Sequence, residues 1–450
     1  MSVMNGPQEQ IIVGLGVTGL SCVRYLASQM DPGELRVVDS RSAPPGLAAL
    51  QADFPEVRCD LAAVSVDYRQ AARVVLSPGV ALDDPLLAGL PAEVPVVSDI
   101  DLFCEAAAAP ILAVTGTNGK STVTSLVGHL LTAAGRKAVA GGNLGEPALD
   151  LLDLEAEVYV LELSSFQLER TSAHHFLAAT ILNLTEDHLD RHGDMAAYLA
   201  AKQRIYRDCE LAVVHRGESA TYPPAAVPFT SFGGDAPVSA SDWGVRQEAG
   251  ERWLVRGLEP VLPTRALPIA GTHNELNVLA AMAMAAAAGA EPEALARGAE
   301  SYQGLPHRCE RVRERQGVAY VNDSKATNVG ATEAALAGLG ATLEGDGRIV
   351  LIAGGDGKGA DFRPLQELVR RHVRALVLLG RDAPALAAAL GSAAVTHAVA
   401  DLDEAVATAA ELAGPGDLVL LSPACASLDM YPNFAARGEH FTRAVEALAA

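Results

Sequence analysis

Short runs of apolar residues, each closed by a glycine or a small polar cluster, recur along this chain and alternate with longer stretches of helical periodicity. An apolar run too short for a helix reads as a strand buried on both faces, and its alternation with helices reads as a parallel sheet wound with helices on both sides. Strands are expected over 10–13, 34–38, 73–76, 110–114, 157–163, 180–184, 318–321, 349–353, 375–379 and 418–421. Helices are expected over 18–28 and 123–134 and, alanine-rich, up to residue 290. Residues 99–109 read as a short alanine-rich connector. Between 211 and 268 the pattern changes to prolines, both tryptophans and short alternating segments, which predict small β elements.

Function in such sheets gathers at the carboxyl ends of the strands, so the residues there carry the chemistry. The first expected strand ends in Gly14-Leu15-Gly16-Val17-Thr18-Gly19, a complete G-x-G-x-x-G, and the second in Asp39, placed to meet a ribose hydroxyl. Ser77-Pro78-Gly79 closes a third. The run to Val114 leads into Thr115-Gly116-Thr117-Asn118-Gly119-Lys120-Ser121-Thr122 and a helix. This turn aims backbone N–H groups and a helix N-terminus at one point, with Lys120 for terminal phosphates and the Ser121 hydroxyl for Mg²⁺. It departs from G-x-x-x-x-G-K-[ST], which has glycine where Val114 stands. A surface turn explains the two glycines but not Gly-Lys-Ser-Thr at a helix start.

Glu162 ends the next strand. It is placed either to hold Mg²⁺ beside the phosphate loop or to cap the helix that follows. Thr185 to His192 is the densest polar cluster of the chain, with Glu186, Asp187, His188, Asp190 and His192 after a strand. Lys202, on an expected helix, reads by itself as a solvated lysine. Asn274 and Asn277 share a helix face, where they read an adenine edge or cap the helix. Further strand ends deliver Asn322 to Asn328, Gly354 to Lys358, Gly380 to Asp382 and Ser422 to Ser427.

At 450 residues the chain exceeds one compact core, and a net charge of −21 argues against broad binding to nucleic acid or to anionic membranes. Six scattered cysteines without C-x-x-C spacing read as reduced, mostly buried thiols of a cytoplasmic protein. The polar start is not expected to be an export signal, and the most apolar helical stretch, 278–290, falls short of the roughly 20 residues of a membrane span.

The motifs are most informative in combination. Gly116 to Thr122, Glu162-Leu-Ser-Ser-Phe-Gln167, Asn183-Leu-Thr-Glu-Asp-His188, Leu305-Pro-His-Arg308 and Asn322-Asp-Ser-Lys-Ala-Thr-Asn328 stand in this order, followed by Gly354-Gly-Asp-Gly-Lys358 and Ser422-Pro-Ala-Cys-Ala-Ser427. In this the chain resembles the Mur ligase family over nearly its whole length, and the 323–328 segment is similar to that of the members adding D-glutamate. The resemblance implies an α/β fold of three domains. These are a Rossmann-like domain for a UDP-sugar (1–98), a central P-loop mononucleotide-binding ATPase domain (99–304), and a Rossmann-like domain for the amino acid (305–450).

It further implies an ATP-dependent amide ligase of cytoplasmic peptidoglycan-precursor synthesis. The carboxylate of UDP-N-acetylmuramoyl-L-alanine takes the γ-phosphoryl group of ATP, and the D-glutamate amine attacks the acyl phosphate. By resemblance, Lys120, Glu162, His188 and Lys202 are catalytic, and Ser121, Glu162, His188 and a carbamylated Lys202 serve two Mg²⁺ sites. Gly116, Thr117, Asn118, Gly119, Lys120, Ser121, Thr122, Asn274, Asn277, Arg308 and Asp323 match positions that hold ATP. Val17, Thr18, Asp39, Ser40, Arg41, Ser77, Gly79, Asn143, Ser164 and Gln167 match the UDP-sugar site. Lys325, Thr327, Lys358, Ser427, Leu428 and Phe434 match the D-glutamate pocket, with Pro432 a departure from the usual polar residue. Partners are these small molecules, with no nucleic acid and no membrane, and the protein is expected to be a monomer.

Three alternatives share parts of this pattern. A folylpolyglutamate-type ligase lacks the 323–328 segment and the complete first glycine turn. A nicotinamide oxidoreductase with a nucleotide module leaves Lys325, Lys358 and the His188 cluster without work. A nucleotide-dependent interaction protein needs no carboxylate, histidine and lysine converging beside the phosphates.

Overall fold

The computed structural model describes residues 9–224, 226–248, 250–269 and 271–448. The first eight residues, most of the stretch read as no export signal, lie outside them. The chain divides into two compact units, Met1–Leu184 with His188–Ser231 and Ala281–Leu295, and Thr185–Asp187 with Phe232–Ala280 and Ala296–Ala450.

In the first unit, five parallel strands lie in the order Arg58–Asp60, Leu35–Val38, Glu9–Val13, Ala71–Leu76, Val96–Val97. Ile11, Ile12 and Val13 are wholly buried, because a central strand meets a core on both faces. Chain order reverses between Glu9–Val13 and Ala71–Leu76. Their ends, Gly14 and Ser77, therefore adjoin the kind of crevice where such sheets bind ligands.

A second parallel set in this unit runs Ala138–Gly142, Val158–Glu162, Ile111–Thr115, Ala178–Ile181, Ala212–His215. The register sets Glu162 opposite Val114 and Gly142 opposite Glu162. The strand expected over 180–184 ends at Ile181, so a loop leads to the polar cluster. The connector at 99–109 is instead mostly the helix Asp99–Ala106. Ser98 and Asp101 cap it reciprocally, through Asp101 N–H on Ser98 Oγ at 3.1 Å and Ser98 N–H on Asp101 Oδ2 at 2.7 Å.

In the second unit, Glu310–Arg315 pairs antiparallel with Val318–Asn322. Parallel strands follow in the order Val318–Asn322, Leu418–Leu421, Ile349–Gly354, Val373–Leu379, Val395–Ala398. The small β elements expected between 211 and 268 include Trp243–Glu248, Glu251–Arg256 and Glu259–Pro263, paired antiparallel. All six cysteines are free, but only Cys22 and Cys425 are fully buried; the other four are half-buried, where most were expected to be buried. Among the described residues no helix is long and apolar enough to cross a membrane.

Candidate functional site

The two glycine turns of the first unit share one construction. After Glu9–Val13 the chain turns through Gly14–Gly19 into the helix Val17–Ala27. A Cβ on Gly19 would lie 2.0 Å from the Gly14 carbonyl oxygen, so only glycine allows this crossing. The turn borders a cavity of about 380 Å³. Val17, Thr18, Asp39, Ser40, Arg41, Ser77 and Gly79, the seven first-domain residues expected to meet the UDP-sugar, all line it.

Asp39, though it lines the cavity, is engaged by the protein's own donors. It accepts from Leu15 N–H at 2.7 Å, from Arg41 N–H at 2.8 Å, and from the Arg41 guanidinium at 2.8 and 2.7 Å. Burial pushes its pKa up, but the Arg41 guanidinium and the two N–H groups outweigh that and bring it to about 2. Asp39 therefore stays ionised and fixes Arg41, whose half-exposed guanidinium lines the cavity.

The second turn joins Ile111–Thr115 to the helix Lys120–Ala133 through Gly116–Gly119, and Gly119 caps the helix at φ 82°. Asn183 braces it. Thr117 N–H reaches the Asn183 carbonyl at 3.0 Å, Asn118 N–H reaches Asn183 Oδ1 at 2.8 Å, and Asn183 Nδ2 returns to the Asn118 carbonyl at 3.0 Å. Two ammonium groups converge on the loop. Lys120 Nζ donates to the Gly116 and Thr117 carbonyls at 2.9 and 2.6 Å, and Lys202 Nζ to Gly116 at 2.8 Å. Lys202 is 1% exposed, against its reading as a solvated residue. Tyr198, one helical turn before it, puts its ring 4.5 Å from Nζ and its hydroxyl 3.3 Å from Thr117 Oγ1.

Glu162 lies at the adjoining strand end and is buried. Its Oε1 accepts from Asn143 Nδ2 at 2.8 Å, while its Oε2 is buried without a hydrogen-bond partner. A buried carboxylate oxygen left so is costly and fits a cation. Among the described residues no three His, Cys, Asp or Glu side chains group as a complete metal cage. His188, at φ 54°, precedes the short helix Leu189–His192 and packs its ring 4.9 Å from Phe166.

Ser164 and Gln167 form a capping box around the helix Ser165–Leu168. Gln167 Nε2 donates to Asp99 Oδ2 at 3.2 Å, so both ends of this buried amide are engaged within the protein. Burial raises the pKa of Asp99 to about 6.

The second unit carries the remaining candidates. Asn277 Nδ2 donates to Asn274 Oδ1 at 3.1 Å near the start of the helix Thr272–Ala287, so the pair shares a face as expected. Asp323 accepts from Cys309 N–H at 3.2 Å and Ser422 Oγ at 2.9 Å, and burial lifts its pKa to about 7. Lys325 Nζ lies 4.2 Å from the Phe434 ring centre. Lys358 is exposed at φ 51°, Ser427 is buried and Leu428 is 67% exposed. Despite Pro432, the segment before Phe434 is compact: Met430 and Tyr431 N–H groups bond the Ser427 carbonyl at 3.0 and 2.7 Å, and Asn433 caps the helix Phe434–Ala447.

Residues that sequence reasoning did not single out hold these parts in place. Arg437, 4% exposed, donates to the Ser324 hydroxyl at 3.0 Å and to the Ser324 and Cys425 carbonyls at 2.8 and 3.2 Å. Nothing in the sequence marks it. Tyr198 was detectable, since it stands four residues before Lys202 on one helix face.

Three family models match the chain: Mur ligase MurD-like N-terminal domain over residues 8–98, Mur ligase middle domain over 114–285, and Mur ligase glutamate ligase domain over 307–425. The chain is 50% identical to the UDP-N-acetylmuramoylalanine–D-glutamate ligase of Pseudomonas aeruginosa and 48% identical to that of Marinobacter nauticus, each over 100% of both chains. The solved UDP-N-acetylmuramate-alanine ligase of Thermotoga maritima superposes with a TM-score of 0.61 at 18% identity, over 98% of this chain and 100% of that one, a likeness of fold.

Proposed function

The chain belongs to the Mur ligase family, with its three-domain α/β architecture, and on that premise we propose that it joins D-glutamate to UDP-N-acetylmuramoyl-L-alanine at the expense of ATP. The observation that carries this reading is end-to-end identity of about half with ligases bearing that activity in their names. It is an ATP-dependent enzyme of peptidoglycan-precursor synthesis. We take the domains to be 1–98, 99–304 and 305–450.

The chemistry follows from charge. The γ-phosphoryl group passes to the L-alanyl carboxylate, giving an acyl phosphate, and the D-glutamate amine attacks that carbonyl and expels phosphate. Two anions must first be brought together, which calls for neutralisation and positioning more than covalent help. Lys120 exchanges its bonds to the loop carbonyls for β- and γ-phosphate oxygens. Backbone N–H groups of Gly116–Thr122 cradle the same chain. Asn274 and Asn277 take the adenine, Asp323 the ribose and Arg308 the phosphates.

Glu162, through its unpartnered oxygen, would hold Mg²⁺ together with Ser121, and His188 with carbamylated Lys202 would serve a second ion. When bound, Mg²⁺ supplies positive charge against the phosphate oxygens. Carbamylation joins Nζ to the carbon of CO₂ with loss of two protons from the ammonium group, turning a cation into a carbamate anion. Asn143, held by Glu162, and Ser164 and Gln167 border the reacting carboxylate. Lys325, Thr327, Lys358 and Ser427, with Leu428 and Phe434, receive the amino diacid, whose two carboxylates call for cations and hydroxyls. The enzyme works as a cytoplasmic monomer on these small molecules alone.

The test is a purified enzyme given Mg²⁺, ATP, UDP-N-acetylmuramoyl-L-alanine and one amino acid at a time. Phosphate release and a product heavier by one glutamyl residue are expected with D-glutamate only. Release that ignores D-glutamate and requires another acceptor overturns the assignment.

A further inference from the structure

Within the first unit two arginines reach the wall of the glycine-turn cavity. Arg170, just after the helix Ser165–Leu168, donates from its two terminal nitrogens to the carbonyl oxygens of Ser77 and Val80. Arg191, on the short helix that begins after His188, donates to the same Val80 oxygen at 3.2 Å. Its guanidinium lies 5.1 Å from the centre of the Phe166 ring and 3.5 Å from Glu169. Phe166 in turn packs against the His188 ring.

The segment they grip is a tight turn, closed by Val80 N–H on the Ser77 carbonyl at 3.1 Å and tied to the first glycine turn by Ser77 Oγ on the Gly14 carbonyl at 2.8 Å. Ser77, Pro78, Gly79 and Val80 all line the cavity of about 380 Å³.

This arrangement is expensive for a loop that needs only to be stable. Both arginines bond to carbonyls, which do not cancel charge, and one carboxylate, Glu169, stands 3.5 Å from Arg191. Burial, with Arg191 close by, pulls the Arg170 pKa down to about 10, and its Nε is buried without a hydrogen-bond partner. The rigid guanidinium fork spans two acceptors at a fixed separation, which an ammonium does not. Two guanidinium groups against one carboxylate, Glu169, leave a net positive charge behind this wall that favours an anion in the cavity.

We propose that Arg170 and Arg191 are positioning residues that lock the Ser77–Val80 turn in the shape that receives the UDP-sugar and tie it to the segment bearing His188. This rests on the reading that the cavity takes the UDP-sugar. The full-length protein is titrated with UDP by calorimetry, without turnover, and separately with a non-hydrolysable ATP analogue. Arg170→Gln is expected to weaken UDP by about tenfold, and Arg170→Lys to recover only part of that, with the ATP analogue bound as in wild type. In turnover, KM for the UDP-sugar rises while KM for D-glutamate holds.

Should Arg170→Gln fail to fold, Arg191→Lys gives the same split at about threefold. Wild type that does not bind UDP overturns the cavity reading and the clasp with it. Wild type that binds UDP while the variants bind it equally well, or lose the ATP analogue in parallel, overturns the clasp and leaves the ligase assignment standing.

Discussion

The two glycine turns of the first unit are built alike and end up electrically opposite. Each follows a buried parallel strand and opens a helix. At Gly14–Gly19 the acid Asp39 is spent inside the protein on Leu15 and Arg41, and what remains is a shaped cavity lined by the half-exposed Arg41. At Gly116–Gly119 two lysines donate to the loop's own carbonyls, and Glu162 keeps one buried oxygen without a partner. The first turn has its charges settled before any ligand arrives. On the proposed reading, the second is completed by phosphate and a cation. The same strand–turn–helix pattern therefore stands in both places, and the side chains brought in from elsewhere make the two turns different.

The sharpest test of that contrast is Lys202. Lys202→Ala should lower kcat by about 10²–10³-fold, and short carboxylates should restore part of it. Full activity would reject the carbamate. Glu162→Gln keeps shape but removes charge. A loss of about 10²-fold is expected, with the Mg²⁺ requirement moved upward; an unaltered Mg²⁺ titration would count against a metal role. At the first turn effects should be on binding and folding instead. Gly19→Ala sets a methyl against the Gly14 carbonyl and should cost about 1–3 kcal/mol of stability, read as a lowered Tm.

Asp39→Asn should raise KM for the UDP-sugar by about tenfold with kcat nearly unchanged. It should also change acid stability. The folded pKa of about 2 lies below an unfolded value of about 3.9, so Asp39 stabilises the fold above the unfolded value and loses that contribution as pH falls through the folded one. Between those pH values the Tm of the variant should fall less steeply than that of wild type. Equal slopes would mean that Asp39 is not held by Arg41 as described.

Much of the fold was legible because buried parallel strands leave unbroken apolar runs, and Leu418–Leu421 begins and ends where expected. The helix Asp99–Ala106 was missed because the alanine run at 106–109 was weighed above the Ser98 and Asp101 cap. The strand before the polar cluster was drawn too long, since Leu182 to Leu184 continues its apolar pattern after pairing has stopped at Ile181. Motif residues such as Glu162 and Lys202 could be placed, but not their state. Whether a lysine is solvated or 1% exposed depends on what packs over it, and Lys202 reaches the Gly116 carbonyl, a partner far away in sequence. Arg170, Arg191 and Arg437 act on carbonyl oxygens of segments far away in sequence, a partnership that no local pattern encodes.

The central claim is that the phosphate loop delivers the γ-phosphoryl group to a carboxylate. It is tested most directly with UDP-N-acetylmuramoyl-L-alanine carrying heavy oxygen in its alanyl carboxylate, with D-glutamate and ATP present. One labelled oxygen per turnover is expected in the released phosphate, as an acyl phosphate requires. Phosphate released without label, with the product formed and the label retained or lost to water, would contradict it.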